Sequence, residues 1–193
     1  MQWSKQSPAS SKERKPHALH FVLVALWLAS VAYAGYYFTS QKLVEFDANL
    51  RLSEVAQQDI IEYVTRYEKK ALITRESSRG VVYHFVDNTC RCNLYSQAHI
   101  DSLSNLASEV AYDVVTIELG DNVRPFFLPS TPATLVLGAD NELIYLGPYA
   151  QGAYCNEATG VVALSIENYL KGFNANLINN RAQGCYCPVL SQS

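Results

Sequence analysis

The sequence predicts an α/β fold, a central mixed sheet flanked by helices, preceded by one N-terminal transmembrane helix. Three observations predict it. From Ala18 to Phe38, 21 residues pass without an Asp, Glu, Lys or Arg, enough helix to cross about 30 Å of hydrocarbon. Beyond that stretch, helical and strand-like apolar spacings alternate, which implies parallel strands packed between helices. Residues 133–146 then read as two strands around a tight turn, adding an antiparallel edge.

Residues 1–16 are polar and hold Ser, Lys and Pro, as expected of a disordered cytoplasmic tail. Residues 17–40 form the anchor. Lys5, Lys12, Arg14 and Lys15 precede it, opposed only by Glu13, so the positive-inside rule keeps the N-terminus in the cytoplasm. Tyr33, Tyr36 and Tyr37 suit the far interface. A cleavable signal peptide is the rival reading, because Ala32-Tyr33-Ala34 resembles a cleavage site. The apolar run continues past that site to Phe38, which favours the anchor. Either way, the rest of the chain is exported.

Residues 41–77 are expected to be a helical linker region. Val55, Ala56, Ile60, Val64, Tyr67 and Ala71 recur at helical spacing, with Ser53 as the expected N-cap. Residues 78–172 carry the main domain. After a polar loop from Arg75 to Gly80, Val81–Val86 is nearly all apolar, the pattern of a strand buried on both faces. Residues 93–110 return to helical spacing through Leu94, Ala98, Leu103, Leu106, Ala107 and Val110. Residues 113–119 predict a second strand. Residues 120–130, interrupted by Pro125 and Pro129, predict a loop or short helix. Residues 133–137 and 142–146 predict two strands turning at Ala139-Asp140-Asn141. Tyr149 to Gly160 is expected to be a loop, and Val161 to Lys171 a helix. Residues 173–193 read as an Asn-rich, Cys-containing C-terminal tail.

From Gln41 on, the chain holds 11 Lys+Arg against 17 Asp+Glu. That acidic balance argues against nucleic acid as a partner. There is no Gly-rich phosphate loop, no G-x-S-x-G and no H-E-x-x-H.

The cysteines are the most informative residues. Two Cys-x-Cys pairs, Cys90-Arg91-Cys92 and Cys185-Tyr186-Cys187, flank a fifth cysteine, Cys155. An exported domain uses cysteines chiefly for disulfides. Five is odd, so one thiol stays free, pairs between chains or binds something. The first pair lies where a strand ends and a helix begins. There, unpaired backbone N–H groups and the helix dipole stabilise a thiolate. Arg91 adds positive charge.

The chain resembles the thioredoxin-like superfamily over roughly residues 78–172. The strand VVYHFVDNT runs into Cys90, Thr131-Pro132 stands before the strand ATLVL, and the hairpin ATLVLGADNELIYLG follows. More narrowly, it resembles membrane-anchored, exported thioredoxin-like proteins of Gram-negative bacteria that carry a Cys-x-Cys. The departures are Cys-x-Cys in place of Cys-x-x-Cys and a short crossover from Leu119 to Pro132. The resemblance implies a single-pass inner-membrane protein whose C-terminal domain sits in the periplasm. It implies thiol–disulfide exchange with exported protein thiols or disulfides, without a cofactor.

In that reading Cys90 attacks and Cys92 resolves. His84 stands where the superfamily has a buried acidic residue that handles protons. Thr131 and Pro132, the latter after a cis peptide bond, shape the substrate groove. Cys155, Cys185 and Cys187 form a structural or relay disulfide: a staple from Cys155 to the tail, or exchange between the tail pair and Cys90 and Cys92. Two other readings remain open. The thiols, Cys90 and Cys92 first, suit copper(I) or zinc. The domain can also be a non-catalytic interaction module with a thioredoxin-like shape.

Overall fold

The computed structural model describes residues 18–40, 43–75, 79–152 and 160–189. The expected N-terminal tail, part of the loop after Arg75, and Cys155 with most of its loop lie outside the described residues. The chain divides into two compact units, residues 1–40 and 41–193. In the first, α1 (Ala18–Ser40) is a single apolar helix of 23 residues. Its stretch Leu19–Phe38 is long and apolar enough to span a membrane.

The second unit is a mixed α/β domain around a five-stranded sheet. Its elements run β1 (Val44–Glu45), α2 (Arg51–Glu54), α3 (Gln57–Ala71), β2 (Gly80–Val86), α4 (Asn93–Glu109), β3 (Asp113–Glu118), β4 (Ser130–Thr131) and β5 (Ala133–Gly138). They continue with a 3-10 turn (Ala139–Asn141), β6 (Leu143–Gly147), α5 (Val162–Leu170), β7 (Leu177–Ile178), β8 (Gln183–Gly184) and β9 (Cys187–Pro188). The sheet order is β3-β2-β5-β6-β7. β2 is parallel to β3 and antiparallel to β5, and β5 and β6 form the expected hairpin. Asp140 and Asn141 take left-handed φ values of 56° and 61° in the turn, a conformation Asn and Asp tolerate better than most residues.

Side chains alternate along β2. Val81, Tyr83 and Phe85 face one core, with Ile60 and Val64 of α3. Val82 faces the other, with Leu103 and Ala107 of α4 and Val162 and Ile166 of α5. The period of two therefore gives three layers with the sheet in the middle, which is why β2 reads as a continuous apolar run.

Two boundaries differ from the sequence expectation. The helix expected from Ser53 is broken in two. Both oxygens of the Asp47 carboxylate accept backbone N–H bonds, from Arg51 and Leu52 at 2.8 Å each, and so organise a separate short turn, α2. Val55 and Ala56 are then extended, and Ala56 rather than Ser53 is the N-cap of α3. The larger difference is the tail, which is built into the fold. β7 joins the main sheet parallel to β6, β8 pairs with β1, and β9 pairs with β4. These strands have two residues each, too short to leave a periodic signature in the sequence.

Candidate functional site

The site lies beyond the last residue of β2. The Asp87 side chain accepts bonds from the Thr89 N–H at 2.8 Å and the Thr89 hydroxyl at 2.6 Å, closing a local turn. The Asp87 carbonyl accepts the Cys90 N–H at 2.8 Å and the Asn93 amide. Cys90 thus sits in the turn that leads into α4, with Cys92 as the helix N-cap. Both cysteines are buried, while Arg91 between them is exposed.

β4 ends at Thr131, and the Thr131–Pro132 bond is cis, as the resemblance implies. The Thr131 carbonyl lies 3.8 Å from Cys90 Sγ. This is a contact rather than a hydrogen bond, because a disulfide sulfur has no proton to donate. Thr131 is fully buried, and its hydroxyl finds no partner among the described residues.

The tail completes the site. β9 runs antiparallel to β4 with Thr131 opposite Cys187, and the Val189 N–H continues the pairing to the Pro129 carbonyl at 2.8 Å. Upstream, the Phe46 N–H bonds the Ala182 carbonyl and the Gly152 N–H bonds the Gln183 carbonyl, each at 2.8 Å. Tyr186, buried between the tail cysteines, donates its hydroxyl to the Ala150 carbonyl at 2.8 Å and meets Phe46 edge-on. Gly184 lets that ring lie close, since a Cβ there would come within 2.7 Å of it.

This docking joins Cys90 to Cys187 and Cys92 to Cys185, with Cα separations of 5.9 and 5.5 Å, inside the usual disulfide range. Two expectations change. Cys90 is bonded to Cys187, not to Cys92, because β9 pairs with β4 and sets Cys187 opposite Thr131, whose carbonyl lies against Cys90 Sγ. The tail cysteines are likewise taken up by Cys90 and Cys92 rather than by a staple from Cys155. Cys185 and Cys187 are half-buried and so more open to solvent than their partners. The Sγ atoms of Cys90, Cys92 and Cys187 all lie within 4.8 Å of one another.

His84 is fully buried in the sheet face toward α4. Its Nδ1 lies 2.7 Å from the Tyr149 hydroxyl and its Nε2 3.1 Å from Ser104 Oγ. Ser104 donates its own proton to the Ile100 carbonyl at 2.7 Å. Ser104 therefore accepts from Nε2–H, and Tyr149 donates to Nδ1. Burial holds the imidazole neutral, lowering its pKa to about 4 against a smaller opposing effect of Asp101. The ring nitrogens are thus engaged by Tyr149 and Ser104, two partners with no signal in the sequence. The pairing of the tail cysteines with Cys90 and Cys92 is one of the two arrangements that the sequence left open.

A family model described as a domain of unknown function, DUF6436, matches residues 57–189, well over half of the chain. The chain belongs to the DUF6436 family. The match begins at the first residue of α3 and ends just past β9, so both cysteine pairs fall inside the DUF6436 domain and α1 falls outside it. No curated protein matches the chain. A solved structure, an uncharacterized conserved protein from Geobacillus kaustophilus, is similar at 14% identity and a TM-score of 0.34, covering 61% of this chain and 80% of that one.

Proposed function

We propose that this DUF6436 protein is a membrane-anchored, exported thiol–disulfide oxidoreductase with a thioredoxin-like fold, in which its own tail supplies one cysteine of the exchanging pair. One observation carries the reading: a strand from the tail pairs beside the cis-proline and delivers Cys187 to Cys90 at the start of α4. The βαβ unit of β2, α4 and β3, joined by the β5–β6 hairpin and α5, supports the thioredoxin-like reading. The basic residues before α1 favour an inner-membrane anchor with the domain in the periplasm.

The exposure of the two cysteines favours one direction of attack. A substrate thiolate reaches half-buried Cys187 more readily than buried Cys90. Attack on Cys187 Sγ forms a mixed disulfide and breaks the Cys90–Cys187 bond. Cys90 leaves as a thiolate, stabilised by the helix N-terminus, and the buried Thr131 hydroxyl belongs to the same loop. A second substrate thiol then attacks the mixed disulfide and releases Cys187 as a thiolate. The substrate loses two electrons, and the Cys90–Cys187 bond gains them. Run in reverse, the Cys187 thiolate attacks a substrate disulfide and releases one substrate thiolate, and Cys90 then attacks Cys187 Sγ and releases the other, so Cys187 is the nucleophile and Cys90 resolves.

The test is equilibration of the full chain with graded mixtures of reduced and oxidised glutathione, followed by mass mapping of the disulfides. The Cys90–Cys187 bond should open and close reversibly within the range of known exchange catalysts, roughly −120 to −270 mV. A bond that stays closed below about −300 mV, as structural disulfides do, would leave the domain without this activity.

A further inference from the structure

We propose that the reduced protein holds one zinc ion on the four thiolates of Cys90, Cys92, Cys185 and Cys187, so that the same cysteines alternate between two disulfides and a metal centre. The proposal is independent of disulfide exchange with a substrate, since it needs only that both bonds can be reduced.

Geometry is the first support. Three of the sulfurs already lie within 4.8 Å of one another, and the fourth, Cys185 Sγ, is bonded to one of them. A tetrahedral zinc centre with Zn–S bonds of about 2.3 Å sets its sulfurs about 3.8 Å apart. The sulfurs therefore need only small displacements, and the backbone positions that bring them together do not depend on the S–S bonds alone. β9 is held to β4, β8 to β1, and Tyr186 to Ala150 by hydrogen bonds that a reductant does not itself cleave.

Chemistry is the second support. Among the described residues, the cluster contains only cysteine sulfurs, with no carboxylate or imidazole. A four-sulfur tetrahedral set selects zinc over the hard cations that prefer oxygen. Each Cys-x-Cys supplies two ligands, one pair from the turn into α4 and the other from the tail. The site is closed, with no position left for water, as structural zinc centres are.

The balance is simple. A dithiol reductant gives two electrons and two protons to each disulfide, leaving four thiols. Zinc then displaces the thiol protons. Oxidation by two incoming disulfides, each taking two electrons and leaving as a pair of thiols, removes four electrons from the thiolates, re-forms both bonds and releases the ion.

The experiment uses the full chain in detergent, reduced and freed of reductant without oxygen, then titrated with zinc against a chromophoric chelator and separately with cobalt(II). One equivalent of zinc should bind per reduced chain and none per oxidised chain. Cobalt should give the charge-transfer and ligand-field bands of a tetrahedral thiolate site. Cys185→Ser and Cys187→Ser should each weaken binding by more than the roughly 10–100-fold that loss of an outer partner costs, and Cys155→Ser should not. Circular dichroism of the same samples covers the case in which reduction loosens the fold: refolding on zinc supports the site. The proposal is overturned if the reduced chain binds no zinc, if zinc fails to refold an unfolded reduced chain, if the oxidised chain binds equally well, or if the Cys185 and Cys187 variants bind like the parent.

Discussion

At its Gly80 end, strand β2 is held by packing and a buried polar network, whereas the end leading to Cys90 is held by two disulfides. Gly80 packs so closely that a Cβ would come within 2.5 Å of the Leu137 carbonyl and 2.6 Å of the Tyr112 ring. Nearby, the Tyr83 hydroxyl donates to the buried Glu68 carboxylate at 2.8 Å. Arg75 Nε lies 2.9 and 3.1 Å from the two oxygens of that carboxylate, and the guanidinium also donates to Asn141 at 3.0 Å. Burial and the Glu68 bond push the Tyr83 phenol well above its ordinary pKa. One network thus ties α3, β2 and the hairpin turn, by bonds that no reductant touches. The other end is conditional on redox state. The sheet can therefore persist while the cysteine face changes its bonding, which is what either role of the cysteines needs.

The largest expected effect breaks the covalent end. The two disulfides span 97 and 93 residues and are nested. Either one alone closes the long loop, worth about 4.7 kcal/mol of chain entropy, and the second then closes a ring of only a few residues, worth about 2 kcal/mol. Replacing Cys92 and Cys185 by Ser should therefore cost about 2 kcal/mol, the Cys90 and Cys187 pair about the same, and all four about 7 kcal/mol. Urea unfolding of the three variants checks this. Losses that simply add would mean that the two bonds constrain different parts of the chain.

A smaller effect marks the other end. Glu68→Leu strips the acceptor from Tyr83 and Arg75 and leaves both polar groups partly buried without it, a loss of about 3 kcal/mol. The same loss should be measured with and without dithiothreitol. If reductant abolishes the difference, the two ends are one cooperative unit and the comparison fails.

The sequence carried the parts of this arrangement that repeat along the chain. The apolar run of Val81–Val86, the helical spacing of Asn93–Val110 and the 139–141 turn rest on local patterns, the cis-proline on the family resemblance, and each is found where expected. The tail did not announce itself. Its strands are two residues long, and what holds them is a partner elsewhere: Phe46 for Tyr186, Pro129 for Val189, Cys90 for Cys187. Glu68 was equally silent, since a charged residue at position i+8 of a helix face normally points to water. Its burial follows from Arg75 and Tyr83, which only the fold brings near. Long-range pairing was legible in one place, the duplicated Cys-x-Cys, because two equal spacings can meet antiparallel.

His84 lies between the two ends and gives the smallest of these effects. Its pKa is about 4 in the fold, against 6.5 for a free imidazole. As pH falls below 6.5 the unfolded chain takes up a proton that the folded chain refuses, so this contribution to stability is complete above 6.5 and is lost progressively down to 4. At pH 5 the loss is about 2 kcal/mol. Between pH 7.5 and pH 5, the wild-type chain should lose about that much more stability than His84→Gln, whose amide does not titrate, as read by urea unfolding. Equal losses would mean that the imidazole can charge in place. The same variant sharpens the comparison of the two ends. With both ring nitrogens held by Tyr149 and Ser104, the substitution should leave the pH profile of disulfide exchange unmoved. A shifted profile would connect His84 to the cysteines and make the buried sheet a part of the redox site.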